Sequence, residues 1–332
     1  MKTCYRCENE LTKQNSSVEH IIINACGGKL KSSSLLCSTC NSIFGEQFDK
    51  ELAKTTNDLS NLLLIKRERG EPQKIKGISN DGKEELYLEF GGDISITKPT
   101  IDLIDVDNEA IDKRRINIKA PNPKILIQTL KGLKRRYPML NIENALENAI
   151  TNNKPFNEAI EIKSSIGGQE VFKSILKTLI NFYMLNEGKR DEIKHLFPYL
   201  ENKTKMDVVW MHYPDNLIYE PIENEITHVL KLVGDQNEKI LYGYVELFNV
   251  HCFIIKLSDD YRGNNIDADY VFDVHTHQVS KNVTHLQLNR ENLLDLFKNK
   301  DSKPFENVQK RYQRVLGVVQ IIQHKIHIKN NK

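Results

Sequence analysis

Hydrophobic and polar positions follow two different periods along the chain. Between Ser38 and about Ile65, apolar residues recur every three or four positions, which predicts a helical segment. The same period predicts four further helices, over 122–140, near 170–186, near 290–299 and near 304–316. Beyond about residue 206 the period changes to two, which predicts strands. These strands are expected at 207–213, 226–234, 240–248, 251–258 and 268–274.

The pattern divides the 332 residues into several segments, because a chain of this length exceeds one average domain. The expected fold class is α+β, with a β-rich, antiparallel C-terminal half. We predict an N-terminal module over 1–66, a charged linker over 67–77, a mixed α/β region over 78–200 and a β-rich domain with terminal helices over 201–332.

Composition is that of an ordinary globular protein, with 28% charged and 39% hydrophobic residues. The first residues, "MKTCYRCENE", are polar and show no secretory signal. No apolar run is long enough to span a bilayer. We therefore expect a cytoplasmic protein without a membrane partner.

Six cysteines are present, and four of them form two Cys-x2-Cys pairs, Cys4 with Cys7 and Cys37 with Cys40. A disulfide framework is not expected in a large cytoplasmic chain. A redox Cys-x-x-Cys motif would explain one pair but not two. Paired thiolates with this spacing suit a tetrahedral Zn²⁺ ion, so we predict a structural zinc site. Cys26 is expected to be buried and not a ligand.

Four segments of the N-terminal module carry a family resemblance: "CYRC", "EHIIINACGGK", "LLCSTCN" and "FGEQFDKEL". As a set they resemble the HNH endonucleases, in the branch with a four-cysteine zinc site, and they are similar in order to phage junction resolvases of the endonuclease VII type. The resemblance implies a ββα-metal, treble-clef-like module in which a β-hairpin and a helix hold a catalytic metal. The implied activity is hydrolysis of phosphodiester bonds, with DNA as the expected substrate.

The resemblance implies a site formed by Glu19, His20 and Asn41. Glu19 and Asn41 offer hard oxygen ligands, which suit Mg²⁺ or Mn²⁺, and His20 would deprotonate the attacking water. Neighbours on a regular strand point to opposite faces, so a twist or bulge must aim Glu19 and His20 at one site. Asp49 lies two helical turns beyond Asn41 and is either a further metal ligand or, as we favour, an exposed helix acid.

The middle position of the HNH signature departs from the family. Asn is usual there, whereas this chain has Ser33, Ser34 and Leu35 in that stretch. A serine can still orient His20 through its hydroxyl or a backbone carbonyl. The residue that fills this role is therefore left open.

Charge is unevenly distributed although the net charge is only +2. Residues 78–112 hold ten acidic and two basic side chains, and residues 113–142 hold nine basic side chains and no acid. The basic block either binds nucleic-acid phosphates or neutralises the acidic segment beside it. The candidate phosphate contacts are Lys131, Lys134, Arg135 and Arg136.

Two other functions remain open besides a nuclease that acts alone. One is a zinc-stabilised nucleic-acid-binding protein without catalysis. The other is the nuclease subunit of a larger guided complex, for instance with an Argonaute-like partner. The family resemblance also implies a role in bacterial anti-phage defence, and a protein partner or a homo-oligomer is left open.

Overall fold

The structure is a computed structural model of the chain. It describes residues 2–68, 70–80, 82, 84–90, 93–105, 114–150, 160–214, 216–280, 284–299 and 304–330. The chain forms two compact units, one made of Met1–Pro72 with Ser165–Lys332 and the other of Gln73–Ser164. This grouping differs from the predicted segments, because the residues from 165 to 200 group with the N-terminal module.

The N-terminal module is a short hairpin followed by a helical segment. Its elements are β1 (Glu19–His20), β2 (Lys31–Ser32), α1 (Ser38–Phe44), α2 (Lys50–Thr55) and α3 (Asn57–Leu62), and a π-helical turn over Gly45–Asp49 joins α1 to α2. In the hairpin, Glu19 pairs with Ser32 and His20 with Lys31. The helical segment predicted from Ser38 is confirmed as three consecutive helices.

Two glycines shape the connection within this hairpin. Gly27 ends a 3₁₀ turn over Asn24–Cys26 with φ of 85°, a conformation that favours glycine. At Gly28 a Cβ atom would lie 1.9 Å from the carbonyl oxygen of Ile22, so any side chain would displace the backbone. The "GG" pair of the motif is therefore required by the local fold.

The described residues of the unit Gln73–Ser164 form small sheets and two helices. Its elements are β3 (Ile75–Ser79), β4 (Glu85–Leu88), β5 (Ile94–Ile96), β6 (Thr100–Asp105), β7 (Arg114–Lys119), α4 (Pro123–Arg136), α5 (Ile142–Glu147) and β8 (Ile160–Glu161). The order β5-β4-β3-β8 forms one antiparallel sheet, and β6 pairs with β7. The Asn122 side chain caps α4 by accepting the Ile125 amide at 2.9 Å, which confirms the predicted start of this helix.

The C-terminal half contains the largest sheet. Its elements are α6 (Gln169–Leu185), α7 (Arg190–Ile193), α8 (Phe197–Leu200), β9 (Val209–Met211), β10 (Thr227–Asp235), β11 (Ile240–Leu247), β12 (His251–Ser258), β13 (Ile266–Asp273), α9 (Arg290–Lys298) and α10 (Pro304–Asn330). The strand order is β13-β10-β11-β12-β9 and every pair is antiparallel. The predicted antiparallel β-rich half is confirmed. Of the helices in the described ranges, none is long and apolar enough to cross a membrane.

Helix α6 lies at the centre of the first unit. It contacts β9–β12 of the large sheet and also α2 and the π-helical turn of the N-terminal module. Every residue from Lys173 to Tyr183 is buried, so this part of the helix has no solvent-exposed face. The N-terminal module and the large sheet therefore share one hydrophobic core.

His228 on β10 also connects the sheet to the N-terminal module. Its Nε2 donates to the carbonyl oxygen of Cys26 at 2.8 Å, and its Nδ1 accepts the Phe248 amide at 3.2 Å. Both bonds are satisfied by the neutral imidazole. Burial lowers the pKa of His228 from 6.5 to about 4.

We predict that this histidine makes the protein less stable in mild acid. As pH falls from 6.5 towards 4, the unfolded chain binds a proton that folded His228 does not, which lowers the free energy of unfolding by up to about 3 kcal/mol. Urea unfolding at pH 7, 5.5 and 4.5 measures this loss. His228→Gln should be less stable than the wild type at pH 7 but should lose less stability on acidification.

The exposed His275 provides the control for this experiment. His275→Gln should keep the wild-type dependence on pH, because the side chain it removes is exposed and is not buried on folding. Equal pH dependence for the His228→Gln protein and the wild type would contradict the prediction.

Candidate active site

The four paired cysteines converge on one point. Their sulfur atoms all lie within 4.8 Å of one another, and the sulfurs of Cys7 and Cys37 are 3.8 Å apart. Four thiolates at about 2.3 Å from a central Zn²⁺ ion would have edges of about 3.8 Å, so the set fits a tetrahedral metal. Within the described ranges, no other group of three or more His, Cys, Asp or Glu side chains is arranged to bind a metal.

Cys26 is not part of this cluster, as predicted. Its thiol lies 3.2 Å from the hydroxyl oxygen of Thr56 inside the core. Burial raises the pKa of Cys26 to about 12, so the thiol is neutral and unreactive at ordinary pH.

Tyr5, which lies between Cys4 and Cys7, links the cysteine cluster to helix α6. Its backbone amide donates to the carbonyl oxygen of Leu35 at 3.0 Å, and its hydroxyl donates to Oδ1 of Asn181 at 2.8 Å. Its ring stacks against Phe197 with centroids 6.0 Å apart. The loop that carries two of the metal ligands is therefore fixed to the core of the larger unit.

Glu19, His20 and Asn41 line one pocket of about 320 Å³. Strand β1 consists only of Glu19 and His20. Both side chains line the same pocket, because no long regular strand directs them to opposite faces. Asp49 and Lys177 also line this pocket. The structure thus brings together the three residues that the resemblance implied, together with Asp49, and adds Lys177 from a distant part of the chain.

Asn41 is held in place from two sides. It follows Cys40 in the first turns of α1, so a metal bound by Cys40 restrains its backbone. Its Nδ2 donates to the hydroxyl of Ser17 at 2.8 Å, which leaves the carbonyl oxygen Oδ1 as the ligand atom. A neutral oxygen of this kind suits a hard divalent cation.

The two carboxylates of the pocket share one ammonium group. Nζ of Lys177 lies 2.5 Å from Oε1 of Glu19 and 2.5 Å from Oδ2 of Asp49. The side chain of Lys177 is only 2% exposed. Glu19 also accepts a hydrogen bond from Nδ2 of Asn181 at 2.9 Å, and Asp49 accepts one from the hydroxyl of Ser174 at 2.6 Å.

The interpretation of Asp49 as an exposed helix acid is wrong. Its side chain is 15% exposed, and both of its oxygens are bonded to α6. The reason is the packing of α6 against the π-helical turn that contains Asp49. This contact joins residues that are 128 positions apart, so the spacing within the N-terminal module gave no sign of it.

Three polar residues of α6 were not identified from the sequence: Ser174, Lys177 and Asn181. The apolar stripe of this helix predicts a core element but does not predict that the helix contributes to a functional site. The available signal was the spacing of the three residues, since positions separated by three and four lie on one face of a helix. Polar residues in such a row within an apolar helix indicate a buried polar partner.

Burial and charge act in opposite directions on the central pair. Burial alone lowers the pKa of an ammonium group, but the carboxylates of Asp49 and Glu19 outweigh it and raise the pKa of Lys177 above 10.5. Burial raises the pKa of Glu19 above 4.5, against the opposing effect of Lys177. Glu19 therefore depends on a nearby cation to remain ionised.

His20 has different polar neighbours from those expected. Its Nε2 lies 3.5 Å from Nδ2 of Asn24 and 3.5 Å from Oε1 of Glu68, whereas the hydroxyl of Ser34 bonds to Ser32. Burial lowers the pKa of His20 below 6.5 and outweighs the opposing effect of Glu68. The imidazole is therefore neutral at pH 7, as a base must be.

The four basic candidates lie together at the end of α4, in the unit Gln73–Ser164. Lys131, Lys134, Arg135 and Arg136 are exposed, whereas Leu130 on the same helix is buried. Within the described ranges none of these four side chains forms an ion pair, so their charges are not neutralised by an acidic neighbour there. Lys119 of the same basic block, however, pairs with Glu84 of the acidic segment, so both interpretations keep support and phosphate binding by the four residues stays a prediction.

Comparison with known proteins identifies the N-terminal module. Residues 4–57 match the family model of the HNH endonucleases. No curated protein and no solved structure matches the chain. The matched range begins at Cys4, ends at the start of α3 and includes every residue of the N-terminal module that lines the pocket. The family resemblance is confirmed for residues 4–57, which match the HNH endonuclease family and contain the four-cysteine cluster.

Proposed function

We propose that this protein is a metal-dependent HNH endonuclease that hydrolyses phosphodiester bonds in DNA. The observation that carries the proposal is the pocket in which Glu19, His20 and Asn41 meet beside the four-cysteine cluster. The cluster is proposed to bind Zn²⁺ as a structural ion. A module this small has little core of its own, so a metal that fixes the first turn of α1 also fixes Asn41.

The pocket residues fit a divalent cation such as Mg²⁺ or Mn²⁺. Glu19 and Asp49 already converge on one positive charge, the ammonium of Lys177. Glu19 and Asn41 supply oxygen atoms of the type these ions prefer. When bound, the ion would stabilise the negative charge that develops on the phosphate and on the departing oxygen.

The residues of the proposed site then have separate roles. His20, neutral at pH 7, accepts the proton of the attacking water. Asn24 and Glu68, both near its Nε2, orient the ring. Glu19 and Asn41 bind the cation, and the zinc-bound cysteines hold the hairpin and α1 in register.

The second candidate is a nucleic-acid-binding protein that does not cut. One observation favours it: the ammonium of Lys177 already neutralises part of the charge of Glu19 and Asp49. A metal-dependent nicking assay on plasmid DNA, with single-stranded DNA and RNA in parallel, separates the two candidates. The role in anti-phage defence stays a prediction of the resemblance, and the Argonaute-like partner and a homo-oligomer stay open alternatives.

We predict that His20→Ala slows cleavage by at least about a hundredfold, because a positioned general base contributes on the order of 10²–10⁴-fold. Zinc content, folding and DNA binding should stay at the wild-type level. Asn41→Ala should also be slow, but through weaker cation binding. Excess Mn²⁺ should therefore restore part of the activity of Asn41→Ala and none of the activity of His20→Ala.

The cleavage rate is measured on supercoiled plasmid over a series of Mn²⁺ concentrations. His275→Ala, which removes an exposed histidine elsewhere, serves as the control and should cut at the wild-type rate. An active His20→Ala protein, or one restored by Mn²⁺ as readily as Asn41→Ala, would refute this division of roles.

The four-cysteine cluster should contain one zinc ion per chain. Cys37→Ser should lose this ion and unfold the N-terminal module, because three thiolates hold zinc more weakly and the module depends on it. Cys26→Ser is the matched control, since Cys26 is a buried cysteine of the same module outside the cluster. Metal analysis of the purified proteins measures the difference. Equal zinc loss in both variants, or a wild type without zinc, would show that the assignment is wrong.

The exposed end of α4 should contribute phosphate contacts. Replacing Lys134, Arg135 and Arg136 together with Ala should weaken binding to all DNA sequences alike. Each lost phosphate contact should reduce the salt dependence, log Kd against log salt, by about 0.9, so the slope should fall by up to about 3. Fluorescence anisotropy at several salt concentrations measures both effects.

A control variant removes the same charge from another surface. Lys203, Lys205 and Lys298 are exposed lysines outside the unit Gln73–Ser164, and their joint replacement with Ala should leave the slope unchanged. The phosphate-binding interpretation fails if the two triple variants change the slope equally.

A further inference from the structure

Helix α6 directs three donors at the two carboxylates of the pocket. Ser174 bonds to Asp49, Asn181 bonds to Glu19, and Lys177 between them bonds to both. These donors lie on one face of a helix that the matched family range does not include. The pocket of the HNH module therefore has a wall from a different part of the chain.

The charge of Lys177 is the essential feature of this wall. A buried ammonium group is tolerated only where it is paired and hydrogen-bonded. Lys177 satisfies this condition only through the pocket carboxylates among the ion pairs of the described residues. By contrast Lys173, one turn earlier and also buried, pairs with Glu170 and Asn202 away from the pocket.

Without Lys177, Glu19 and Asp49 would form a strong site for a divalent ion. Two carboxylates beside an amide oxygen are typical ligands of Mg²⁺ or Mn²⁺, and affinity rises with the number of charged ligands. With Lys177 in place, the same two carboxylates already share one positive charge. A second cation between them would meet strong repulsion, since like charges about 4 Å apart repel each other strongly where water screens them poorly.

We propose that Lys177 is a resident cation of the active site, which excludes a divalent ion from the position between Glu19 and Asp49. The pocket then binds a single divalent ion weakly, through Glu19 and Asn41, and Asp49 serves Lys177 and not the metal. Lys177 thus determines how many divalent ions the site holds and how tightly. This inference rests on the proposed function for the identity of the site, but its test measures metal binding and not cleavage.

The test is a titration of the zinc-loaded full-length protein with Mn²⁺. Calorimetry and the electron paramagnetic resonance signal of free Mn²⁺ measure how tightly the ion binds. Lys177→Met removes the charge at similar length. We expect it to bind Mn²⁺ about tenfold or more tightly than the wild type, because two carboxylates become ligands. Its melting temperature should rise with Mn²⁺ more than that of the wild type.

Lys173→Met is the matched control, because it makes the same change at a buried lysine of the same helix. It should bind Mn²⁺ with wild-type affinity. Adding Asp49→Asn to Lys177→Met should abolish the gain, since the gain requires the second carboxylate. In the otherwise wild-type protein, Asp49→Asn should change the affinity by less than about threefold.

Failure of this inference and failure of the proposed function give different results. If Lys177→Met does not fold without metal, Lys177→Gln keeps two hydrogen-bond donors without the charge and should show the same gain. Unchanged affinity in both Lys177 variants, or a loss of about tenfold in Asp49→Asn alone, would overturn the inference. If the wild type cuts DNA while the Lys177 variants gain nothing, this inference fails and the proposed function stands. If the Lys177 variants gain Mn²⁺ affinity but the wild type does not cut DNA, the proposed function fails and this inference stands.

Discussion

The ammonium of Lys177 between two carboxylates is the interaction on which the site depends. Glu19 and Asp49 are held close to one point, where their like charges would repel each other without a cation. The ammonium of Lys177 supplies this cation and is itself buried. The ammonium therefore needs the carboxylates as partners, and the carboxylates need the ammonium. Such a cluster is stable only when the backbone around it is rigid, because a small displacement would leave a buried charge unpaired.

The rigidity comes from the position of α6 in the fold. The helix packs on the five-stranded sheet and on the N-terminal module at once, and it is buried from Lys173 to Tyr183. The module itself has only a hairpin of two short strands, each of two residues, and short helices, which cannot bury a large core. The cysteine cluster orders it from one side and α6 from the other, and Tyr5 connects the two supports through Asn181.

Local features of this site could be predicted from the sequence, and distant ones could not. The zinc site follows from the spacing of the two cysteine pairs, and the family resemblance implied Glu19, His20 and Asn41, all within one short segment. The contact of Asp49 with Lys177 joins residues 128 positions apart. It depends on the packing of α6, for which the spacing of apolar residues predicts only a core helix. The same limit explains the misinterpreted exposure of Asp49 and the unexpected proximity of Glu68 to His20.

The charges of the pocket also constrain the reaction. The charged residues that line the pocket are Glu19, Asp49, Lys50 and Lys177, and their charges sum to zero when all four are ionised. In the proposed nuclease, one divalent cation would therefore leave the pocket with two net positive charges, against one in a pocket without Lys177, and a positive pocket attracts a phosphodiester, which is an anion. The buried lysine would thus weaken the binding of the metal and still improve the attraction of the metal-loaded pocket for a phosphodiester.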